Sequence, residues 1–138
     1  MLGYEIQKVL AGVDWFAKKS KAKIGVAGWG EGGLLAMYAA ALDTRIDAAA
    51  VSGYFDSRQN VWQEPVERNV FGLLEQFGDA EIASMIVPRA LIIEAGKGPE
   101  VKLPSEGGAP GRLVSPKFDD VAGEFARLLS LFDGGVLR

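Results

Sequence analysis

Between residues 4 and 19 the apolar positions Ile6, Val9, Leu10, Val13, Phe16 and Ala17 recur with helical spacing, and Lys18, Lys19 and Lys21 close the segment. An amphipathic helix is expected there. The pattern then changes: residues 23–28 read as a short buried strand around Ile24, Gly25, Val26 and Ala27, a glycine cluster follows, and residues 34–42 are again helical. Residues 46–51 are a continuous apolar run suited to a strand buried on both faces. A polar and aromatic loop over 52–62 leads to two expected helices, 66–77 and 79–86, the second with Asp79 as N-cap and Pro88 forcing its end. Residues 90–94 form the third expected strand, 96–116 a Gly/Pro-rich loop, and 118–132 a last helix carrying Val121, Phe125, Leu128, Leu129 and Phe132.

Strands alternating with helices predict the α/β class: three parallel strands wound with helices by right-handed crossovers, in three α/β/α layers, with binding residues at the strands' carboxyl ends. The length of 138 residues, 49% of them apolar, suits one packed core, so residues 1–138 read as a single domain. Three strands leave two sheet edges uncovered. The expectation is therefore a partial domain, its remaining sheet supplied by a longer chain or its edges joined by self-association.

Charge narrows the partners. With 15 Lys and Arg against 18 Asp and Glu, well mixed, the chain has no basic face for a phosphate backbone, and no nucleic acid is expected. Glu5 and Lys8 interrupt the first ten residues, unlike a signal peptide, and the low-charge stretch 32–42 is far too short to span a bilayer. The default location is cytoplasmic. The chain has no cysteine and no histidine, which removes disulfides, thiolate zinc sites and the usual general base at neutral pH together. Asp119 and Asp120 are adjacent at a helix start and suit its dipole rather than a metal. Neither a metal nor a cofactor is expected.

The sharpest local signal is Gly28-Trp29-Gly30-Glu31-Gly32-Gly33 between a strand and a helix. Small residues at 28 and 32 are what a nucleophile elbow needs, because its central residue sits in strained backbone geometry against the neighbouring strand and helix. A phosphate-cradling turn is the competing reading, but Gly28, Gly30 and Gly33 do not match the dinucleotide spacing strictly, and Asp47 and Asp56 only bracket the place of a ribose-binding acid. Tight helix–strand packing alone also explains the glycines.

This turn, together with Val51-Ser52-Gly53-Tyr54-Phe55 and Ile86-Val87-Pro88-Arg89-Ala90-Leu91-Ile92-Ile93, resembles the bacterial dienelactone-hydrolase and acetyl-xylan-esterase-like branch of the α/β-hydrolases over roughly residues 23–101. The resemblance implies ester hydrolysis through a serine acyl-enzyme on acetylated sugars or other small esters. It puts Gly30 at the nucleophile's place, the backbone N–H of Glu31 in the oxyanion hole, and Gly98, just before Pro99, at the place of the acid. The family's histidine has no counterpart. The expectation is a hydrolase relative without its catalytic residues, a pseudoenzyme; the alternative is a ligand- or partner-binding module, or a truncated fragment.

Substitutes are few. Glu31 and Glu100 could face one another as paired carboxylates, and Ser52 offers a hydroxyl without a base. Trp29 at the turn and the segment holding Asp56, Arg58, Trp62, Glu64, Glu67, Arg68 and Asn69 are candidates to bind a small ester, sugar or carboxylate, an arginine pairing with the carboxylate and Trp62 offering a flat face. The competing reading is an internal Arg–Glu network around a Trp that roofs the core.

Overall fold

In the computed structural model, residues 1–103 and 111–133 are described. The chain runs α1 (Leu2–Lys19), β1 (Ile24–Trp29), α2 (Glu31–Leu42), β2 (Ile46–Ser52), α3 (Asp79–Ser84), β3 (Ala90–Glu94), β4 (Val101–Lys102), β5 (Arg112–Leu113) and α4 (Phe118–Asp133). Strands β1, β2 and β3 form a parallel sheet in that order. The fold is α/β, with helices winding three parallel strands.

Helix α2 is the centre of the molecule. Leu34, Ala36, Met37, Ala39, Ala40 and Ala41 are all buried around its circumference, as a helix must be when it is apolar on every side. It lies between the sheet and its neighbours α1 and α3, while α4 packs on α3. Leu2, Ile6 and Val13 of α1, Ala80, Ile82 and Ala83 of α3, and Val121 and Leu128 of α4 join one continuous core with Ile46, Ala49 and Val51 of β2. Phe16, expected on the apolar face of α1, is instead exposed and meets Trp15 edge to face.

All these helices lie behind one face of the sheet. A sheet whose order follows the sequence, joined by right-handed crossovers, places every crossover helix on the same side, and only a reversal of direction covers the other. Ile24, Val26, Leu91 and Ile93 face the core, whereas Trp29 and Ile92 are 57% and 63% exposed on the opposite face. The expected third layer is thus absent among the described residues, and an apolar floor of Ala27 and Ala50 lies open.

Three local expectations also change. The apolar spacing of 66–77 forms not a helix but two 3-10 turns, Val66–Arg68 and Leu73–Glu75, separated by Gly72 at φ 73°. The cap of α3 is Gly78, whose N–H donates to Glu81 Oε2 at 2.7 Å, and Asp79 enters the first turn with its carboxylate turned inward. The 96–116 segment contains an antiparallel ribbon, Val101 opposite Leu113 and Lys102 opposite Arg112. Ion pairs tie the periphery: Arg127 of α4 bridges Glu81 and Glu124, and Arg89 donates to the carbonyls of Asp43, Ile46 and Met85, fixing the entry to β3. Among the described residues no helix is long and apolar enough to cross a membrane.

Candidate functional site

The carboxyl ends of the three strands lie in register, Trp29 beside Ser52 and Ser52 beside Glu94. From this edge the chain turns into α2 through Gly30, whose φ of 55° and ψ of −117° are open to glycine and strained for any other residue. Its N–H donates to the Ser52 carbonyl at 2.9 Å, locking the turn to the neighbouring strand. Strand and helix approach so closely that a Cβ on Gly28 would stand 1.9 Å from the Gly32 carbonyl oxygen. The sequence therefore folds here into a sharp strand–turn–helix whose centre only glycine adopts without strain. Glu31 follows as the first residue of α2, where an N–H has no carbonyl one turn before it and is free to serve an anion.

The space above Gly30 is filled. A Cβ at this position would come within 2.6 Å of Pro99 Cδ and 2.9 Å of its Cγ, so the pyrrolidine ring occupies the volume where a side chain would emerge. Gly98 is closed in the same way, its absent Cβ lying 2.3 Å from the Gly53 carbonyl oxygen and 3.1 Å from Pro116 Cδ. Gly53, at φ 61°, returns the contact against Lys97 and Gly98. Hydrogen bonds stitch the edge shut: Trp29 Nε1 donates to the Lys97 carbonyl at 2.7 Å, and the Gly98 N–H donates to Ser115 Oγ at 2.8 Å. Trp29 is thereby fixed as a brace, and Ser52 contributes its carbonyl to the turn, with its hydroxyl against Gly96.

The carboxylate pair does not form. Glu31 turns to Arg68, at 2.5 Å, in a shallow cleft with Met1, Glu5 and Pro65. Glu100 is exposed and lines another cleft, beside the β4–β5 ribbon.

Arg58 and Arg68 are likewise committed. The Arg58 side chain is only 8% exposed; it donates to both Glu64 oxygens at 3.0 and 3.2 Å and to the Tyr54 carbonyl at 2.9 Å. Its Nε lies 3.2 Å from Asp79 Oδ2 without hydrogen-bond alignment. Its guanidinium stacks 4.4 Å above the Tyr54 ring, and Arg58 itself holds a φ of 55°, uncommon outside glycine. Arg68 reaches Glu64 at 3.2 Å as well as Glu31. Two guanidiniums thus face three carboxylates around Tyr54, and neither is open to a ligand's carboxylate. Trp62 takes no part in roofing this network: it is 64% exposed.

Electrostatically the centre of the network is Asp79. It is fully buried, accepts the Asp56 N–H at 3.1 Å and the Tyr54 hydroxyl at 3.4 Å, and burial pushes its carboxyl up to about 7 against the pull of Arg58. Burial also raises the Tyr38 phenol to about 12, and that of Tyr54 well above its ordinary value.

Of the candidate carboxylates, Asp56, like the exposed Glu67 and Glu100, makes no ion pair among the described residues. Asp56 is half-buried, accepts the Ser57 N–H at 2.7 Å, and burial raises its pKa. It lines a polar cleft of about 240 Å³ with Asn60 and Gln63 from the same loop, and Arg112, Ser115 and Lys117 from the segment leading into α4. Ser115, Arg112 and Lys117 have no signal in the sequence as site residues, and Tyr54, Pro99 and Asp79 stand there only as part of a motif, as the neighbour of Gly98 and as a helix cap. For Pro99 and Ser115 the contacts are long-range and leave no local signal, whereas the buried Asp79 was visible as a polar residue opening an apolar helix. No family model, curated protein or solved structure matches the chain.

Proposed function

We propose that this chain is a catalytically silent module of the α/β-hydrolase type, whose strand-end loops bind a small polar ligand and do not cleave it. One observation carries the reading: the Pro99 ring fills the volume directly above Gly30, where an elbow nucleophile would stand. The sharp strand–turn–helix geometry supports the kinship, and the Gly98–Gly53 contact, which excludes any side chain where the acid would lie, supports the loss of chemistry. A hydroxyl without an adjacent base is in any case a weak nucleophile, and the chain has no histidine.

The test is hydrolysis of p-nitrophenyl acetate by the purified chain and by a variant carrying Gly30→Ser with Gly98→Asp. Both are expected to run at the buffer rate. Turnover by the wild-type chain, abolished by no change at the turn, would place the chemistry elsewhere and overturn the reading. A second reading, in which the chain packs against further sheet or a second copy of itself, is favoured by the exposed Trp29 and Ile92 on the open face of the sheet.

A further inference from the structure

The polar cleft beside Asp56 carries a more specific assignment, which rests on the binding role just proposed. Its two walls come from different parts of the chain. One is the loop after β2, with Asp56, Asn60, Gln63 and Glu64, the last already paired to Arg58 and Arg68; the other is the segment from β5 into α4, with Arg112, Ser115, Lys117 and Asp120. Among the described residues, Asp56 makes no ion pair, and neither does Arg112 or Lys117. The second wall thus carries two cations against the single carboxylate of Asp120, and Asp56 is the carboxylate of the first wall that no ion pair engages. A half-buried carboxylate without an ion-pair partner favours a ligand bringing its own cation.

We propose that this cleft binds a free α-amino acid as its zwitterion, the ammonium group between Asp56 and the Asn60 and Gln63 amides, the carboxylate toward Arg112 and Lys117. Several observations select this class. A cleft of about 240 Å³ holds roughly eight waters at about 30 Å³ each, below the range of drug-sized pockets. No aromatic ring lines it, so a sugar finds no flat face on which to stack its apolar side. A simple anion would meet Asp56 and Asp120 as well as the two cations. Val114, also at the cleft, offers an apolar contact to a side-chain stem.

The experiment is a titration of the full chain, followed by amide and side-chain NMR, with L-glutamine, N-acetyl-L-glutamine and L-glutamine methyl ester. The two derivatives each remove one of the charges. Free glutamine is expected to shift the side-chain amides of Asn60 and Gln63 and the backbone signals of Asp56 and Lys117, with each derivative at least about tenfold weaker. Asp56→Asn and Lys117→Met are expected to weaken binding by a similar factor while leaving the remaining spectrum in place; Asn retains the acceptor for the Ser57 N–H, so the loop keeps its turn. Equal binding of a capped form, a response to glucose in place of glutamine, or no shift at about 10 mM of any probe overturns the assignment. The failures are separable: absence of amino-acid binding leaves the loss of ester hydrolysis untouched, and ester turnover would strike the earlier reading alone.

Discussion

Gly28, Gly30 and Gly98 are required by contacts made at the absent Cβ, and each contact implies a measurable penalty. At Gly30 the positive φ and the Pro99 ring act together, so Gly30→Ser is expected to destabilise the chain by about 2–4 kcal/mol, strain and overpacking combined. Pro99→Ala removes the Cγ and Cδ atoms that obstruct the serine. In the double variant the loss should shrink to the backbone strain alone, about 1–2 kcal/mol, and urea denaturation of the four members of the cycle measures the coupling. Additive effects would show that the ring does not fill the space above the turn. The strand–Gly–x–Gly–x–Gly–Gly–helix spacing made a tight turn legible in the sequence, and the structure finds the close approach at Gly28, Gly30 and Gly33, whereas a Cβ on Gly32 would meet nothing. The proline's role was not legible, since residues 30 and 99 meet only in the folded chain. Gly98 stands out in the sequence only through the resemblance, and the Gly53 carbonyl that excludes a side chain there meets it only in the folded chain.

At the scale of elements, the stretch from Gly53 to Gly78 has almost no regular structure, and its conformation is set by side chains. The Arg58–Glu64–Arg68–Asp79 network around Tyr54 takes the place of a backbone ladder. Removing one member leaves an uncompensated buried charge, and Arg58→Leu is expected to destabilise by about 3–5 kcal/mol, checked by thermal or urea unfolding. Asp79 adds a pH dependence of definite sign. Its folded pKa, about 7, lies above the ordinary 3.8, so the folded state holds this proton more tightly. The contribution is fully present below pH 3.8 and is lost as pH rises to about 7. Asp79→Asn should therefore flatten that part of the stability profile, while the acid-side loss from Asp43 and Glu81, whose arginine partners hold them below their ordinary values, persists. An unchanged slope in the variant would remove Asp79 as its source. The sequence showed recognition-type residues crowded into this loop and left open whether they faced a ligand or one another. The helix expected over 66–77 failed for a physical reason: Val66, Val70, Phe71, Leu74 and Phe77 have helical spacing, yet all five are exposed, and Gly72 breaks the run in the left-handed region.

For the whole molecule, the α/β class with parallel strands was within reach of the alternation of strands and helices. The number of layers was not. The continuous apolar run of β2 reads as burial on both faces, and the structure covers one face of the sheet. The open floor of Ala27 and Ala50, flanked by Trp29 and Ile92, is an unsatisfied surface of a kind that monomers rarely expose. The isolated chain is expected to self-associate with rising concentration, and Ile92→Lys to weaken that association at least about tenfold without changing the helical content; sedimentation and circular dichroism report the two. A monomer insensitive to concentration would show the floor to be inert. The plug above Gly30 has a consequence for which sequences this backbone accepts. Any side chain at position 30 encounters the Pro99 ring and any at position 98 the Gly53 carbonyl, so glycine at each place depends on a partner distant in the sequence. Substitution at either position is tolerated only together with a change across the contact, which makes the two ends of the strand edge a single unit of variation.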